Sequence, residues 1–290
     1  MSIRFEGRVA IVTGAGGGLG REHALALAAR GAKVVVNDLS AADRVVAEIR
    51  AAGGEAIASN ASVTDFDAVQ AMVAQAVQAW GRVDILVNNA GILRDKTFAK
   101  MDLADFRLVL DVHLMGSVHC TKAVWDLMRE QKYGRIIMTT SSTGLYGNFG
   151  QTNYAAAKLA LVGFMQTLAL EGEKYGIHVN SIAPTAHTQM TEGLMPAEVL
   201  AKLKPAAVTP AVLYLASEEA PTRAILCAGA GTFERAYITL TQGVHLGTGA
   251  DTPERVAAQI AAISDRSGDM VPGAGSAQGA NEISKAAAAG

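Results

Sequence analysis

The chain has 290 residues, half of them hydrophobic, with a formal net charge of −2 and a pI of about 6.3. That length suits one large domain or two small ones, and the apolar share supports a sizeable core. The near-neutral balance argues against the basic face of a nucleic-acid binder and against a polybasic membrane anchor, and no apolar run reaches the roughly 20 residues of a membrane span.

Arg8 to Thr13 (RVAIVT) reads as a buried strand. Gly18 to Arg30 carries a helical pattern and ends at Gly31, a C-cap signal. Lys33 to Asn37 is a second strand, and a helix over 41–52 stops at Gly53-Gly54. A weaker third strand covers Glu55 to Ser59, followed by a helix from Asp65 to Trp80. Val83 to Val87 is a fourth strand, a long helical region spans 102–131, and Arg135 to Thr140 is a fifth strand. Residues 153–175 are helical, His178 to Ile182 is a sixth strand, and a helix near 206–217 precedes a seventh strand at Ala224 to Cys227. Strands rich in Val and Ile without polar alternation are buried on both faces, and the alternation with helices predicts an α/β chain. The expectation is a single-domain Rossmann fold: a doubly wound parallel sheet of about seven strands, helices on both faces. Ligands in such sheets bind beyond the carboxyl ends of the strands, at the switch in strand order.

Past residue 228 the rhythm breaks. Thr252 to Ser264 has the caps of one more helix, with Pro253 at its first position. Residues 267–290 are rich in Gly, Ala and Ser and read as a loose tail. The expected division is one α/β domain over 1–250 that includes the ligand pocket, and a C-terminal helix with tail over 251–290. Cys120 and Cys227 form neither a CxxC pair nor a disulfide framework, and the N-terminal stretch lacks the pattern of a signal peptide. Together they predict a cytoplasmic enzyme.

Thr13-Gly14-Ala15-Gly16-Gly17-Gly18-Leu19-Gly20 follows the first strand and opens the first helix. Glycines let the backbone turn sharply and approach a pyrophosphate, and the helix N-terminus offers it free N–H groups. Asp38 closes the second strand about 20 residues on, where an acid accepts hydrogen bonds from the adenosine ribose and repels a 2′-phosphate. No basic residue lies inside the glycine loop or directly after Asp38. The cofactor predicted is therefore NAD rather than NADP.

Tyr154 and Lys158 are four apart near the start of a predicted helix and share one face. An ammonium beside a phenol favours the phenolate and lowers its pKa, making it a usable base. Ser141 closes the preceding strand, where its hydroxyl can hold a substrate oxygen. No metal is implied.

These features together resemble the short-chain dehydrogenase/reductase family over about residues 5–245. The resemblance rests on TGAGGGLG (13–20), Asp38, NNAG (88–91), Ser141 and YAAAK (154–158). It implies that Gly14, Gly16, Gly18, Leu19 and Gly20 cradle the cofactor, and that Asn88, Asn89, Ala90 and Gly91 support the sheet and lie against the adenosine. It further implies that Ser141 positions the substrate oxygen, Tyr154 is the acid/base, and Lys158 binds the nicotinamide ribose. The chain departs from the family in three places. An asparagine that normally holds a relay water is replaced by His113, within Val112-His113-Leu114-Met115-Gly116. An imidazole nitrogen can do the same work; the alternative is a histidine that only packs and bonds to backbone. The usual Pro-Gly after the sixth strand is Pro184-Thr185, with Thr188 near enough to reach the cofactor. The adenine-side aspartate is missing around Ala61-Ser62-Val63, leaving Ser62 and Val63 as candidate adenine contacts.

Within the family, residues 89–101, 132–161 and 177–184 look like the (3R)-hydroxyacyl-CoA dehydrogenase domains of peroxisomal multifunctional β-oxidation enzymes. The resemblance implies reversible oxidation of a secondary alcohol, most directly a (3R)-3-hydroxyacyl-CoA, with a 17β-hydroxysteroid as the alternative. Leu93, Tyr146, Phe149 and Gln151 are the expected substrate contacts, with Met190, Leu194 and Met195 as apolar lining. Arg94 and Lys96 could meet a CoA phosphate or form a solvated surface pair. Relatives pair through the 102–131 and Tyr154 stretches, which implies a homodimer or homotetramer.

Overall fold

The computed structural model describes residues 2–187 and 197–289. Eight strands form one sheet: β1 (Val9–Thr13), β2 (Lys33–Asn37), β3 (Ala56–Ser59), β4 (Ile85–Asn88), β5 (Gly134–Thr139), β6 (Ile177–Thr185), β7 (Ile225–Gly229) and β8 (Thr232–Ala236). Their order is β3-β2-β1-β4-β5-β6-β7-β8, with every pair from β3 through β7 parallel. The doubly wound α/β fold expected from the Val/Ile-rich strands is therefore present. The eighth strand follows β7 through Ala230 and Gly231, both at positive φ, the geometry of a two-residue hairpin turn. It escapes a sequence reading because four of its five residues are exposed, so it carries no apolar signature.

The helices are α1 (Gly18–Ala29), α2 (Ala42–Ala51), α3 (Phe66–Trp80), α4 (Leu103–Leu110), α5 (Gly116–Gln131), α6 (Ser142–Tyr146), α7 (Thr152–Gly172), α8 (Ala197–Leu200), α9 (Thr209–Ala216), α10 (Thr252–Ala258), α11 (Ile260–Ile263) and α12 (Ser276–Ala288). Side chains alternate across each strand. Val12, Val36, Val87 and Ile137 face a cluster with Leu27 of α1, Val45 and Ile49 of α2, and Val212 and Leu215 of α9. The alternate residues Ile11, Val35, Leu86 and Ile136 are equally buried, as are Met72 of α3, Val124 and Met128 of α5, and Leu161 and Met165 of α7.

The single long helix expected over 102–131 is interrupted. Asp111–Met115 forms a π turn between α4 and α5. Such turns add one residue to the helical register and recur at functional sites; here the turn carries His113.

α1 and α9 are joined by one buried polar contact, His23 Nδ1 to Thr209 Oγ1 at 2.9 Å. Burial pushes the His23 pKa down to about 3. The unfolded chain takes up a proton on this residue below about pH 6.5, whereas the folded chain refuses it down to about 3. Stability is lost as pH falls through that window, by about 1.4 kcal/mol per pH unit from this group. Thermal unfolding from pH 7 to pH 4 should show a shallower decline for His23→Gln than for the parent chain; equal slopes would contradict this.

The chain divides into two compact units, residues 1–235 and 236–290, earlier than the expected division near residue 250. The second unit holds α10 to α12 and an antiparallel bridge between Leu240 and Met270. None of its described residues is buried. The expected loose tail is helical over Ser276–Ala288, because an alanine-rich segment has high helix propensity even where its glycines read as linker. Among the described residues no helix is long and apolar enough to cross a membrane.

Candidate active site

A cavity of about 850 Å³ lies at the carboxyl ends of the strands, where the order switches between β1 and β4. Its walls include Gly14, Gly16, Gly17, Gly18 and Leu19, then Asp38, Asn89, Gly91 and Leu93, and also His113, Ser141, Gln151, Tyr154 and Lys158. Residues far apart in the chain are thus gathered around one space.

The glycine loop is tight where it must be. A Cβ on Gly14, which has φ +62°, would fall 2.8 Å from Ala90 Cα. One on Gly20 would lie 2.3 Å from the Gly14 carbonyl oxygen, and one on Gly16 would lie 2.6 Å from Asp38 Cγ. Gly17 faces open space. Asn89 Nδ2 donates to the carbonyls of Thr13 and Gly14 at 2.9 and 3.1 Å. Thr13 Oγ1 accepts the Asn89 and Ala90 N–H groups, both at 3.0 Å. The Asn-Asn-Ala-Gly segment therefore staples the glycine turn to β4. α1 begins at Gly18 with no acidic side chain in its first turn, so its free N–H groups offer a positive end to phosphate.

Asp38 serves two purposes. Oδ2 accepts the Gly16 N–H at 3.0 Å, and Oδ1 accepts those of Ser40 and Ala41 at 3.1 and 3.3 Å. The carboxylate orders the turn before α2 and also lines the cavity. Two wall residues, Arg21 and Arg44, were not foreseen from sequence. Arg21 directly follows Gly20 on α1, and Arg44 lies on α2, six residues past Asp38. Arg44 Nη2 donates to the Gly16 carbonyl at 2.8 Å, and Arg21 pairs with Glu22 at 2.6 Å and with Glu48. The narrow glycine cradle, the unpaired helix N-terminus and the acid at the end of β2 fit a nicotinamide dinucleotide.

Ser62 and Val63 are not among the wall residues. Ser62 Oγ bonds to Thr64 Oγ1 at 2.8 Å, and the Val63 side chain packs where a Cβ on Gly116 would be. Tyr146 and Phe149 are also absent from the wall, 73% and 88% exposed. Gly147 and Gly150 at positive φ turn this loop so that Asn148, rather than Phe149, faces the cavity. Arg94 and Lys96 both pair with Asp105, at 3.5 and 3.7 Å. Thr188, Met190, Leu194 and Met195 lie outside the described residues.

Tyr154 stands at the start of α7 with Lys158 one turn on. Ser141 lines the same cavity as Tyr154 and also caps α6, its hydroxyl accepting the Thr143 N–H at 3.2 Å. Lys158 is buried; its Nζ donates to the Thr139 carbonyl at 2.6 Å and sits 5.4 Å from the Tyr154 ring centre. Burial lowers its pKa to about 7. The four-residue spacing of Tyr154 and Lys158 predicts a cation that lowers the tyrosine pKa. Instead the phenol is held above its ordinary value, because burial and the Asp95 charge outweigh the opposing influence of the Ser141 hydroxyl. The lysine head is occupied by Thr139, and its own burial weakens its charge.

His113 is buried at the π turn. Its Nε2 meets both the Ile92 carbonyl at 2.7 Å and the Ile92 N–H at 3.0 Å, so one tautomer donates to the carbonyl and the other accepts from the N–H. Nδ1 is buried and has no partner among the described residues. The ring meets Tyr154 edge-on, centres 5.2 Å apart. Burial and the Lys158 charge lower its pKa to about 3, so the imidazole is neutral at physiological pH.

The family profile for short chain dehydrogenases matches residues 8–198. A short-chain type dehydrogenase/reductase of Mycobacterium tuberculosis is 48% identical over 281 residues, covering 92% of this chain and 97% of that one. The peroxisomal multifunctional enzyme type 2 of Drosophila melanogaster is 54% identical over 227 residues, 74% of this chain and 38% of that protein. Its full-length structure superposes with a TM-score of 0.83 over 97% of this chain, which spans 49% of it. A 7α-hydroxysteroid dehydrogenase solved with NADH and a 7-oxo bile acid gives 0.74 at 33% identity, covering 79% of this chain and 95% of that one. The chain belongs to the short chain dehydrogenase family and is an oxidoreductase acting on CH–OH groups.

Proposed function

We propose that the chain is an NAD-dependent (3R)-3-hydroxyacyl-CoA dehydrogenase. The observation that carries this reading is the gathering of Ser141, Tyr154 and Lys158 on the wall of one dinucleotide-sized cavity, in a chain more than half identical to a multifunctional peroxisomal enzyme over 227 residues. A bound nicotinamide supplies the hydride acceptor. Ser141 holds the substrate oxygen, and Tyr154 takes the hydroxyl proton during oxidation and returns it during reduction. Lys158 holds the cofactor ribose and, when protonated, stabilises the phenolate. His113, through its unpaired Nδ1, can share a hydrogen bond with a relay water.

NAD is favoured over NADP because the Asp38 carboxylate lines the cavity at the end of β2, while the charge of Arg21 is met by Glu22 and Glu48. A 2′-phosphate beside that carboxylate meets like charge, which costs several kcal/mol. Asp38→Ala should lower the NAD/NADP ratio of kcat/KM by about 100-fold, in line with that penalty. An unchanged ratio would remove Asp38 from the selectivity.

The free cysteines Cys120 and Cys227 accord with a reducing cytoplasmic setting, which belongs to this proposal, as does assembly into a homodimer or homotetramer. The substrate is tested by following NAD reduction with (3R)-3-hydroxybutanoyl-CoA and with a 17β-hydroxysteroid. The expected result is a kcat/KM for the thioester at least tenfold the larger. The reverse order would assign the steroid.

A further inference from the structure

Gln151 is 8% exposed, lines the cavity and precedes Tyr154 by three residues. Its amide is held from both ends. Oε1 accepts from Thr143 Oγ1 at 3.1 Å and from Asn148 Nδ2 at 2.9 Å. Nε2 donates to Asp95 Oδ2 at 2.6 Å. With two donors on one end and a carboxylate on the other, the amide has one permitted orientation. Nε2 carries two hydrogens, and its second has no partner among the described residues.

The loop bearing Asp95 is fixed to the same corner. Asn153 Nδ2 donates to the Arg94 carbonyl at 3.0 Å, and the Lys96 N–H donates to the Gly150 carbonyl at 3.0 Å. Asp95 itself is exposed on its outer side. Its charge opposes ionisation of Tyr154, so at this position a carboxylate works against proton transfer.

We propose that Gln151 donates its remaining N–H to a second oxygen of the substrate, and that Asp95 is the positioning residue that fixes this donor. Residues three apart at a helix start are about 5–6 Å apart at Cβ. A donor at that offset from Tyr154 suits a carbonyl oxygen in 1,3 relation to the reacting hydroxyl. The device selects β-hydroxy carbonyl compounds, thioester or simple ester, over plain secondary alcohols. It deepens the function proposed above and rests on it for the reaction, not for the CoA group.

The test compares the parent chain with Asp95→Ala, Asp95→Asn and Gln151→Met. The substrates are (3R)-3-hydroxybutanoyl-CoA, ethyl (3R)-3-hydroxybutanoate and 2-pentanol. Asp95→Ala should raise KM for the two β-hydroxy carbonyl compounds at least tenfold more than for 2-pentanol, with kcat changed less than KM. Asp95→Asn, whose side-chain oxygen still accepts from Gln151, should recover most of the loss. In the Gln151→Met background Asp95→Ala should add less than twofold, as expected for two residues acting through one contact. Equal losses on all three substrates, or additive effects in the double variant, would overturn the assignment. A parent chain that prefers the simple ester to the thioester would overturn the CoA reading and leave this one standing.

Discussion

Tyr154→Phe should lose on the order of 1,000-fold in kcat while binding dinucleotide within about twofold of the parent chain, the loss typical of removing a positioned acid/base. The phenol contributes one hydroxyl, on the cavity wall that Ser141 shares, and the ring keeps its edge contact with His113 when that hydroxyl is gone. Folding and the glycine cradle are untouched. Equilibrium titration with NADH and steady-state turnover separate the two effects. Turnover within tenfold of the parent would assign the proton transfer elsewhere.

Gly91→Ala should destabilise the fold by about 3 kcal/mol, at the upper end for overpacking a filled interior, and should depress activity as well. The added Cβ would lie 2.2 Å from His113 Cε1 and 2.8 Å from Nδ1. The ring is buried and held by Ile92, so it cannot retreat without breaking that bond and losing its contact with Tyr154. Gly163→Ala on α7 provides the contrast. Its Cβ would meet nothing within 4 Å, and replacing glycine in a helix stabilises by about 0.5–1 kcal/mol. Denaturant unfolding of both variants checks the pair. Equal behaviour would mean that the packing around His113 is looser than its contacts imply.

Much of the fold is legible in the sequence because buried parallel strands write themselves as unbroken Val and Ile runs, as in VAIVT and KVVVN. The glycine loop and the Tyr154–Lys158 pair are equally readable, since each is local: one is a strand–turn–helix junction and the other is two side chains one turn apart. What escaped is non-local or is decided by loop direction. Arg44 reaches the cavity from α2, and no spacing rule links it to the glycines. Asp95 meets Gln151 across 56 positions of chain. Phe149 is apolar and near the site, yet the two positive-φ glycines around it turn it outward and bring Asn148 in. The π turn at His113 leaves no periodic trace because the apolar pattern runs through it.

The central claim is that a hydride leaves the substrate carbinol carbon for a nicotinamide bound in this cavity while Tyr154 takes the hydroxyl proton. The most direct measurement follows (3R)-3-hydroxybutanoyl-CoA bearing deuterium on that carbon, incubated with NAD and the parent chain or Tyr154→Phe. The account predicts one deuterium in the reduced nicotinamide per turnover with the parent chain, and almost none with the variant on the same timescale. Deuterium released to water, or equal transfer by both chains, would contradict it.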